Sequence, residues 1–285
     1  ERGWTLVTEE RHMEVIIQPD SDKAARLVAC LIARELKAKP GLVLGLATGR
    51  TMEDVYDNLA RMHKEEGLDF SLCKTFNLDE YVGLQPGHPG SYRTYMNKYL
   101  FSRVNIDIRN THLPNGVAPD LAAECENYEE IMRQSGGIDF QLLGIGRDGH
   151  IGFNEPLSAL RSRTREKALT RSTLEANAEM FGGDPARVPR RAITMGVGTI
   201  LDSKRCILLA TGREKAEVLA RAVEGPITAM ISGSAMQLHP HCTVVADEDA
   251  AADLNEVDYY RWIFDNEPEW EEFRAPIRPC IRKTS

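Results

Sequence analysis

Apolar residues follow two different patterns along this chain. Short continuous apolar runs, such as Leu42-Val-Leu-Gly-Leu-Ala47 and residues 138–145, have the length of strands that are buried on both faces. Between residues 22 and 39 the apolar residues instead recur at helical spacing, and Pro40-Gly41 ends the helix. The pattern therefore predicts strands and helices that alternate.

A strand, a tight turn and a helix recur as a unit. One unit runs through the turn Thr48-Gly-Arg-Thr51, and another joins residues 206–210 to a helix through Thr211-Gly-Arg-Glu-Lys215. An earlier strand is predicted at Val15-Ile-Ile17. This alternation predicts an α/β fold with a mostly parallel sheet and helices on both faces. Ligands of such sheets bind at the carboxyl ends of the strands.

The chain shows no boundary between domains. No Pro/Gly/Ser-rich linker and no block of charge divides it, so we predict a single α/β domain over residues 13–285. Residues 1–12 are polar and lack periodicity, which predicts a flexible N-terminal extension. The aromatic and acidic stretch 259–273 predicts a terminal helix that docks on the body of the protein or on a neighbouring subunit.

The composition is that of an ordinary globular protein. Hydrophobic residues make up 42% of the 285 residues and charged residues 27%. The cysteines are scattered without Cys-x-x-Cys spacing, which predicts reduced, buried thiols rather than a metal site. They are Cys30, Cys73, Cys125, Cys206, Cys242 and Cys280.

Charge and hydropathy exclude several classes of function. A net charge of −8 disfavours sequence-independent binding of nucleic acid, which needs a dense positive surface. No apolar stretch reaches the roughly 20 residues that cross a bilayer, and the first residues lack the basic-then-apolar order of a signal peptide. We therefore expect a cytoplasmic protein without nucleic-acid or membrane partners, in which a local cluster of cations holds any anionic ligand.

The two turns share a hydroxyl, a glycine and a cation at the start of a helix. Free backbone N–H groups and the positive end of a helix favour phosphate there. Each turn taken alone is more often structural, but the pair favours an anion site. Neither turn has Walker A or Gly-x-Gly-x-x-Gly spacing, so ATP and NAD are poor candidates. The candidate anion-binding residues are Thr48, Gly49, Arg50, Thr51 and Lys215.

Two acidic residues follow a predicted strand over residues 73–78. The strand would deliver Asp79 and Glu80 to the ligand edge of the sheet. The alternative interpretation is a helix N-cap or a surface turn, because aspartate and asparagine favour both. The sequence leaves these two alternatives open.

An irregular loop over residues 144–156 carries further acid–base groups. Its glycines and its final proline break regular structure directly after a strand, and it contains Asp148, His150 and Glu155. Histidine titrates near neutral pH and can move a proton at a sugar hydroxyl, while flanking carboxylates set its tautomer and raise its basicity. We predict that His150 is catalytic.

Two other motifs are predicted to be structural. In His239-Pro-His241 no cysteine or carboxylate cluster surrounds the histidines, so we predict a turn and no metal site. Met195-Gly-Val-Gly198 predicts close packing of the backbone beside the site.

Several strings of residues are shared with a known family. They are Leu-Ala-Thr-Gly at 46–49, Phe-Asn-Leu-Asp-Glu-Tyr-Val-Gly-Leu at 76–84, Gly-Arg-Asp-Gly-His-Ile-Gly-Phe-Asn-Glu-Pro at 146–156, Ser-Arg-Thr-Arg at 162–165, Met-Gly-Val-Gly-Thr at 195–199 and Gln-Leu-His-Pro at 237–240. In these strings the chain resembles the glucosamine-6-phosphate deaminase family, also called glucosamine-6-phosphate isomerase. The resemblance covers nearly everything from Met13 to Tyr260.

The resemblance implies a modified Rossmann-like α/β fold, no metal or organic cofactor, and a homo-oligomer, commonly a hexamer. It implies conversion of glucosamine 6-phosphate and water to fructose 6-phosphate and ammonia. By the matching positions, His150 would open the sugar ring, tuned by Asp148 and Glu155, and Asp79 would then move a proton from C2 to C1. The positions that match the family's phosphate contacts are Thr48, Gly49, Thr51 and Lys215.

The chain departs from the family's pattern at its phosphate site. An arginine is present at Arg50, where the family has glycine or serine, and the family's phosphate-binding arginine is replaced by Glu179. We predict that Arg50 compensates by binding phosphate while pairing with Glu179. The alternative is that the distal end of the substrate is not a simple phosphate and that the enzyme acts on a related aminosugar derivative. The effector pocket that some members use for N-acetylglucosamine 6-phosphate is matched only at Ser158, Arg165 and Lys167.

Two further alternatives belong to different classes. A 6-phosphogluconolactonase shares a Gly-x-Asp-Gly-His segment, but would continue with a Ser-Leu-Phe-Pro type of string where this chain has Phe153-Asn-Glu-Pro156. A sugar-phosphate-binding regulator without catalysis would fit the altered phosphate residues. The retained set of Asp79, Asp148, His150 and Glu155 argues against it.

Overall fold

The computed structural model describes residues 13–274, so the predicted N-terminal extension and Cys280 lie outside the described residues. The strands are β1 (Met13–Gln18), β2 (Val43–Leu46), β3 (Lys74–Asn77), β4 (Asp79–Tyr81), β5 (Thr111–His112), β6 (Phe140–Gly144), β7 (Arg165–Ala168), β8 (Arg191–Thr194), β9 (Arg205–Ala210) and β10 (Cys242–Asp247). The α-helices are α1 (Ser21–Ala38), α2 (Arg50–Glu66), α3 (Tyr92–Tyr99), α4 (Leu121–Gln134), α5 (Arg171–Asn177), α6 (Val197–Leu201), α7 (Ala216–Val223), α8 (Val257–Asn266) and α9 (Glu271–Arg274).

A parallel sheet of seven strands forms the centre, in the order β1-β10-β9-β6-β2-β3-β5. Every pair of neighbours in it is parallel. Strands β2, β9 and β10 are almost wholly buried, as expected when helices cover both faces of a sheet. The predicted α/β class with a mostly parallel sheet is confirmed, and the division into domains stays a prediction.

Local sequence features explain where the first two helices begin. Asp20 caps α1 by accepting a hydrogen bond from the Lys23 N–H at 2.8 Å. Helix α2 begins after Gly49, whose φ of 121° suits glycine and strains other residues. Because α2 starts directly after β2, its positive end lies at the ligand edge of the sheet.

A smaller antiparallel sheet, in the order β4-β8-β7, stands beside the central one. The predicted strand over residues 73–78 ends at Asn77, and Asp79 begins β4, where it pairs with Thr194. The chain therefore passes from one sheet to the other immediately before Asp79. Pairing with β8 holds Asp79 at the ligand edge.

The C-terminal stretch differs from the prediction of one helix over residues 259–273. It forms α8, a 3-10 turn at Pro268–Trp270 and α9, because Pro268 cannot continue the helix. The predicted docking on the body is confirmed, since Trp270 is fully buried and its indole N–H donates to Glu14 at 3.3 Å. Within the described residues, no helix is long and apolar enough to cross a membrane.

The cysteines follow the prediction with one exception. Cys73, Cys125, Cys206 and Cys242 are free and buried. Burial raises the pKa of the Cys242 thiol to about 12, which makes it a packing group rather than a nucleophile. Cys30 is disulfide-bonded, so the prediction that it is reduced was wrong. Pairing of cysteines depends on proximity in the fold, which sequence spacing does not reveal.

Candidate active site

A cavity of about 240 Å³ opens at the carboxyl ends of β2, β6 and β9. This is the edge where a parallel sheet is expected to bind its ligand. Glu155 is buried and contacts His150 from the side of the protein interior. The predicted site residues that line the cavity are Thr48, Gly49, Arg50, Thr51, Asp79, Asp148, His150 and Lys215.

His150 lies between two carboxylates. Its Nδ1 is 2.5 Å from Oδ1 of Asp148 and 3.4 Å from Oε2 of Glu155. The opposite edge of the ring, with Nε2, lies against Gly146, where any Cβ would collide with the imidazole. The ring is thus held with Nδ1 toward the acids and with Nε2 free of them.

The two carboxylates favour the protonated form of His150. Burial lowers the pKa of the imidazole, but contacts with Asp148 and Glu155 outweigh it and raise the pKa to about 9. Burial likewise opposes ionisation of both carboxyl groups, yet hydrogen bonding with His150 lowers the pKa of each. At neutral pH the centre therefore holds an imidazolium that can donate a proton from Nε2.

Helix α5 holds Glu155 in place. The backbone N–H of Thr170 donates to Oε1 of Glu155 at 3.0 Å, and the Thr170 side chain caps α5 by accepting from the N–H of Thr173. Sequence reasoning did not identify Thr170. The threonine before the helix predicts an N-cap, but nothing local predicts its contact with Glu155.

The two acids of β4 have different roles. Asp79 lines the cavity and is only 6% exposed. Burial and then the charge of Glu80 raise the pKa of Asp79 to about 8, which makes it a stronger base than an ordinary aspartate. Glu80 accepts hydrogen bonds from the backbone N–H groups of Tyr92 and Arg93 at 3.0 Å. Glu80 therefore binds the start of α3, and Asp79 faces the cavity.

The first predicted anion turn presents the end of a long helix to the cavity. Helix α2 has no side-chain cap at Gly49. The Met52 N–H donates to the Gly49 carbonyl oxygen at 2.9 Å, so the N–H groups of Arg50 and Thr51 are the ones that could bind an anion. The Thr211 hydroxyl donates to the Thr51 hydroxyl at 3.5 Å, which brings the two predicted turns together. Thr48 also lines the cavity.

The second predicted turn contributes its lysine rather than its backbone. The Gly212 N–H donates to both carboxylate oxygens of Asp247 at 3.0 Å and is therefore used within the fold. Arg213 pairs with Asp253 at 2.7 Å and does not line the cavity. Of the two cations in this turn, only Lys215 lines the cavity and presents its positive charge there.

Two arginines stand beside Lys215. Burial and the positive charges of Arg147 and Arg50 lower the pKa of Lys215, which places three cationic groups around one part of the cavity. Arg147 was not identified from the sequence. Its position between Gly146 and Asp148 in the acid–base loop was the available signal.

Arg50 also contacts Glu179, as the sequence predicts. The guanidinium Nη1 is 3.5 Å from Oε2 of Glu179, and both side chains are exposed. Arg50 lines the cavity, whereas Glu179 does not. A phosphate in the cavity would therefore face the cation and not the carboxylate.

The acid–base centre fits a proton better than a metal ion. Ligand atoms of Asp148, His150 and Glu155 lie within 4.8 Å of one another, as metal ligands can. A zinc ion with bonds of about 2 Å would hold neighbouring ligand atoms about 3 Å or more apart. The 2.5 Å separation of Nδ1 and Oδ1 is too short for that and is instead a close ion-pair contact between an imidazolium and a carboxylate.

The remaining motifs have the predicted structural roles. His239 is buried, its Nε2 lies 2.7 Å from the Ser203 carbonyl oxygen, and its Nδ1 accepts from the His241 N–H at 3.0 Å. At Gly196 a side chain would collide with the backbone of Ser162. The predicted close approach of the backbone is therefore confirmed.

Fold and site together define an α/β protein in which an acid–base centre adjoins a cavity lined by the cationic side chains of Arg50, Arg147 and Lys215. A family described as glucosamine-6-phosphate isomerases/6-phosphogluconolactonase matches residues 20–249. A glucosamine-6-phosphate deaminase from Arthrobacter sp. (strain FB24) is 50% identical over 259 residues, which are 91% of this chain and 99% of that protein. Glucosamine-6-phosphate deaminase 2 from Bacillus subtilis (strain 168) is 46% identical over 87% of this chain and 100% of that protein.

Solved structures agree with these relatives. The structure of a monomeric glucosamine-6-phosphate deaminase matches with a TM-score of 0.83 at 43% identity, over 85% of this chain and 100% of that chain. A 6-phosphogluconolactonase from Thermotoga maritima matches with a TM-score of 0.65 at 20% identity, over 82% of this chain and 99% of that chain, and shows likeness of fold alone. The chain belongs to the glucosamine-6-phosphate isomerase/6-phosphogluconolactonase family.

Proposed function

We propose that the protein is an isomerising deaminase that converts glucosamine 6-phosphate and water to fructose 6-phosphate and ammonia. The observation that carries the proposal is a buried aspartate of raised pKa, Asp79, in the same cavity as the imidazolium of His150. An aldose-to-ketose shift needs a base over the sugar carbons and a separate acid at the ring oxygen. The names of the relatives at 46–50% identity support the same reaction.

The reaction has two parts, ring opening at His150 and proton transfer at Asp79. His150 donates a proton to the ring oxygen as the C1–O5 bond breaks, and the neutral imidazole then takes up the proton that the C1 hydroxyl releases as the aldehyde forms. Asp148 and Glu155 stabilise and orient the imidazolium before and after this exchange. In its ionised form Asp79 then removes the proton from C2 of the open-chain sugar, while a proton of the substrate's own ammonium group passes to O1, and the product is the enolamine. Asp79 returns its proton to C1. The resulting ketimine at C2 takes up water and releases ammonia, leaving the ketone of fructose 6-phosphate.

The phosphate would bind opposite these groups. The first turn of α2 supplies backbone N–H groups, and Lys215, Arg50 and Arg147 supply positive charge. Burial, and then the charges of Arg147 and Arg50, lower the pKa of Lys215, and a dianion between these groups would stabilise the charged lysine. With the phosphate bound at one end of the cavity, C1 and C2 of the sugar would lie between His150 and Asp79.

The first prediction is the activity itself. The purified protein is expected to release ammonia and fructose 6-phosphate in equal amounts from glucosamine 6-phosphate, in the presence of a metal chelator and without added nucleotide. The reason is that Asp79 supplies the base and His150 the acid, so the proposed reaction needs no metal ion. Nδ1 of His150 lies against the carboxylates of Asp148 and Glu155, which hold its proton. A coupled assay that follows both products tests it.

Parallel substrates distinguish the alternatives. Galactosamine 6-phosphate tests for deamination of a related aminosugar phosphate, and 6-phosphogluconolactone tests for a lactonase. Folded protein that binds glucosamine 6-phosphate but releases neither product would favour the non-catalytic regulator and contradict the proposal.

The second prediction concerns compensation at the phosphate site. Arg50→Ala is expected to raise KM for glucosamine 6-phosphate by about tenfold or more, because a charge-assisted contact to phosphate is lost, with a smaller effect on kcat. Glu179→Arg is expected to be tolerated and to restore part of the affinity in the Arg50→Ala background, since it returns a cation next to the cavity rim. Steady-state kinetics measure both constants.

Arg109→Ala is the matched control, because Arg109 is an exposed arginine that pairs with Asp107 and does not line the cavity. An unchanged KM in Arg50→Ala, or equal use of unphosphorylated glucosamine by the unmodified enzyme, would show that Arg50 does not replace the lost arginine. In that case the distal group of the substrate would have to be reconsidered.

Location and assembly remain part of the proposal. The phosphorylated substrate and product support a cytoplasmic enzyme. A homo-oligomer, up to the hexamer implied by the family resemblance, stays a prediction, while one similar solved structure is described as a monomeric deaminase.

A further inference from the structure

The catalytic loop over residues 144–156 has little regular structure of its own, yet it must hold His150 and Glu155 at a fixed distance from each other. Gly146, Gly149, Gly152 and Pro156 prevent a helix or strand after β6, so contacts from elsewhere in the chain must set the shape of the loop. The 3-10 helix Ser232–Leu238 supplies such contacts. This segment does not line the cavity.

The side chain of Ser232 joins two points of the loop. Its Oγ accepts a hydrogen bond from the Ile151 N–H at 3.2 Å and donates one to the Asn154 carbonyl oxygen at 2.7 Å. Ser232 is 1% exposed, so water does not compete for these bonds. Ile151 directly follows His150, and Asn154 directly precedes Glu155. One buried hydroxyl therefore fixes the backbone between the imidazole and its carboxylate partner.

The neighbouring residue extends this contact to the other side of His150. The Gly233 N–H donates to the Gly149 carbonyl oxygen at 2.8 Å. Gly149 has a φ of 84° and lies so close to Ile231 and Val218 that a side chain would collide with both. Residues 231–233 thus contact the loop immediately before and after His150.

We infer that Ser232 is a positioning residue, which sets the distance between His150 and Glu155 through its two hydrogen bonds to the loop. It touches neither substrate nor the reacting atoms. Glu155 is also held by Thr170, so loss of the Ser232 hydroxyl would move the His150 side of the pair more than the Glu155 side. The inference rests on the proposed deaminase activity.

The test compares Ser232→Ala with Ser234→Ala. Ser232→Ala is expected to lower kcat for glucosamine 6-phosphate by about tenfold to a hundredfold, because a small displacement of a catalytic group has an effect of this size. KM should stay within about threefold, since the Ser232 hydroxyl bonds only to the backbone of the loop and not to the phosphate-binding turns. The pH at which activity falls on the alkaline side should move lower, because a looser contact with Glu155 raises the pKa of His150 less.

Ser234 is a matched control in the same 3-10 helix. It is also fully buried, and its hydroxyl bonds to the backbone of Thr228 and Ile231, outside the catalytic loop. Ser234→Ala should lose a similar amount of thermal stability and leave kcat and the alkaline limb unchanged. Ser232→Thr, which keeps the hydroxyl, should retain most of kcat.

Equal losses of kcat in Ser232→Ala and Ser234→Ala, or a Ser232→Ala enzyme with lower stability but unchanged kcat and pH profile, would overturn the inference. So would a Ser232→Thr enzyme as slow as Ser232→Ala at unchanged Tm. If Ser232→Ala is insoluble, Ser232→Cys keeps the volume, weakens both hydrogen bonds and enters the same comparison. Failure of the unmodified enzyme to release ammonia would instead reject the proposed function and is distinguishable from these results.

Discussion

Replacing Asp79 with asparagine is expected to lower turnover of glucosamine 6-phosphate by about 10³- to 10⁴-fold, since an amide cannot accept the C2 proton and a positioned base contributes an effect of this order. The substitution keeps the size of the side chain in a site that is 6% exposed. KM should change little, because Asp79 acts on the carbon atoms and not on the phosphate. Steady-state assays of ammonia release measure the loss.

The same substitution is expected to stabilise the fold. Burial raises the pKa of Asp79 from its usual 3.8 to about 8, so between these pH values the folded protein holds a proton that the unfolded chain has lost. The stability of the unmodified protein therefore falls as pH rises through this range, and asparagine removes that dependence. The gain should grow from pH 4 to pH 8 and then level off, reaching on the order of a few kcal/mol.

Thermal unfolding as a function of pH tests this gain. Asp249→Asn is the matched control, because Asp249 is exposed in the turn after β10. It should change neither turnover nor the pH dependence of Tm. Near-normal turnover of Asp79→Asn would mean that another group is the base, and a Tm below that of the unmodified protein at pH 8 would contradict the raised pKa.

The second large effect is expected from His150→Gln. Ring opening of glucosamine 6-phosphate should slow by about 10²- to 10⁴-fold, because glutamine cannot donate a proton to the ring oxygen. Exchange of the C1 hydrogen of fructose 6-phosphate with solvent deuterium, in the presence of ammonium, should stay within a few-fold of normal. That exchange starts from the open keto form already present in solution. It needs formation of the ketimine with ammonia and the proton transfer assigned to Asp79, but no ring opening.

The two assays together distinguish the role of Asp79 from that of His150. Asp79→Asn should abolish both ammonia release and C1 exchange, whereas His150→Gln should spare the exchange. His63→Gln is the control, since His63 lies on α2 outside the cavity and contacts the Leu68 carbonyl oxygen. Loss of C1 exchange in His150→Gln at normal folding would show that His150 also takes part in the proton transfer between C2 and C1.

Much of this site could be predicted from local features of the sequence. The turn at Thr48-Gly-Arg-Thr51 was predictable because a glycine stands between a buried strand and the start of α2. The loop with Asp148, His150 and Glu155 is recognisable from glycines that exclude regular structure around titratable side chains. The pairing of Arg50 with Glu179 followed from the exchange of charge between two positions of the family pattern.

Other features were not predictable because they depend on contacts between distant segments. The sequence places Asp79 and Glu80 side by side and does not reveal that one faces the cavity and the other binds the start of α3. Arg147 and Ser232 carry no local pattern of a binding or positioning residue. Their roles arise from what lies next to them in the fold.

The sequence by itself therefore determined the α/β class, the strands β1, β2, β3, β6 and β9, and the residues able to move protons or bind an anion, because periodicity and side-chain chemistry are local properties. The antiparallel sheet β4-β8-β7 was not predicted. Tertiary structure set the pKa of Asp79 near 8 and that of His150 near 9, through burial and through carboxylates brought close by folding. It also set the disulfide state of Cys30 and the break in the C-terminal helix stretch. Burial and proximity in space are properties of the packed chain, and no spacing along the sequence encodes them directly.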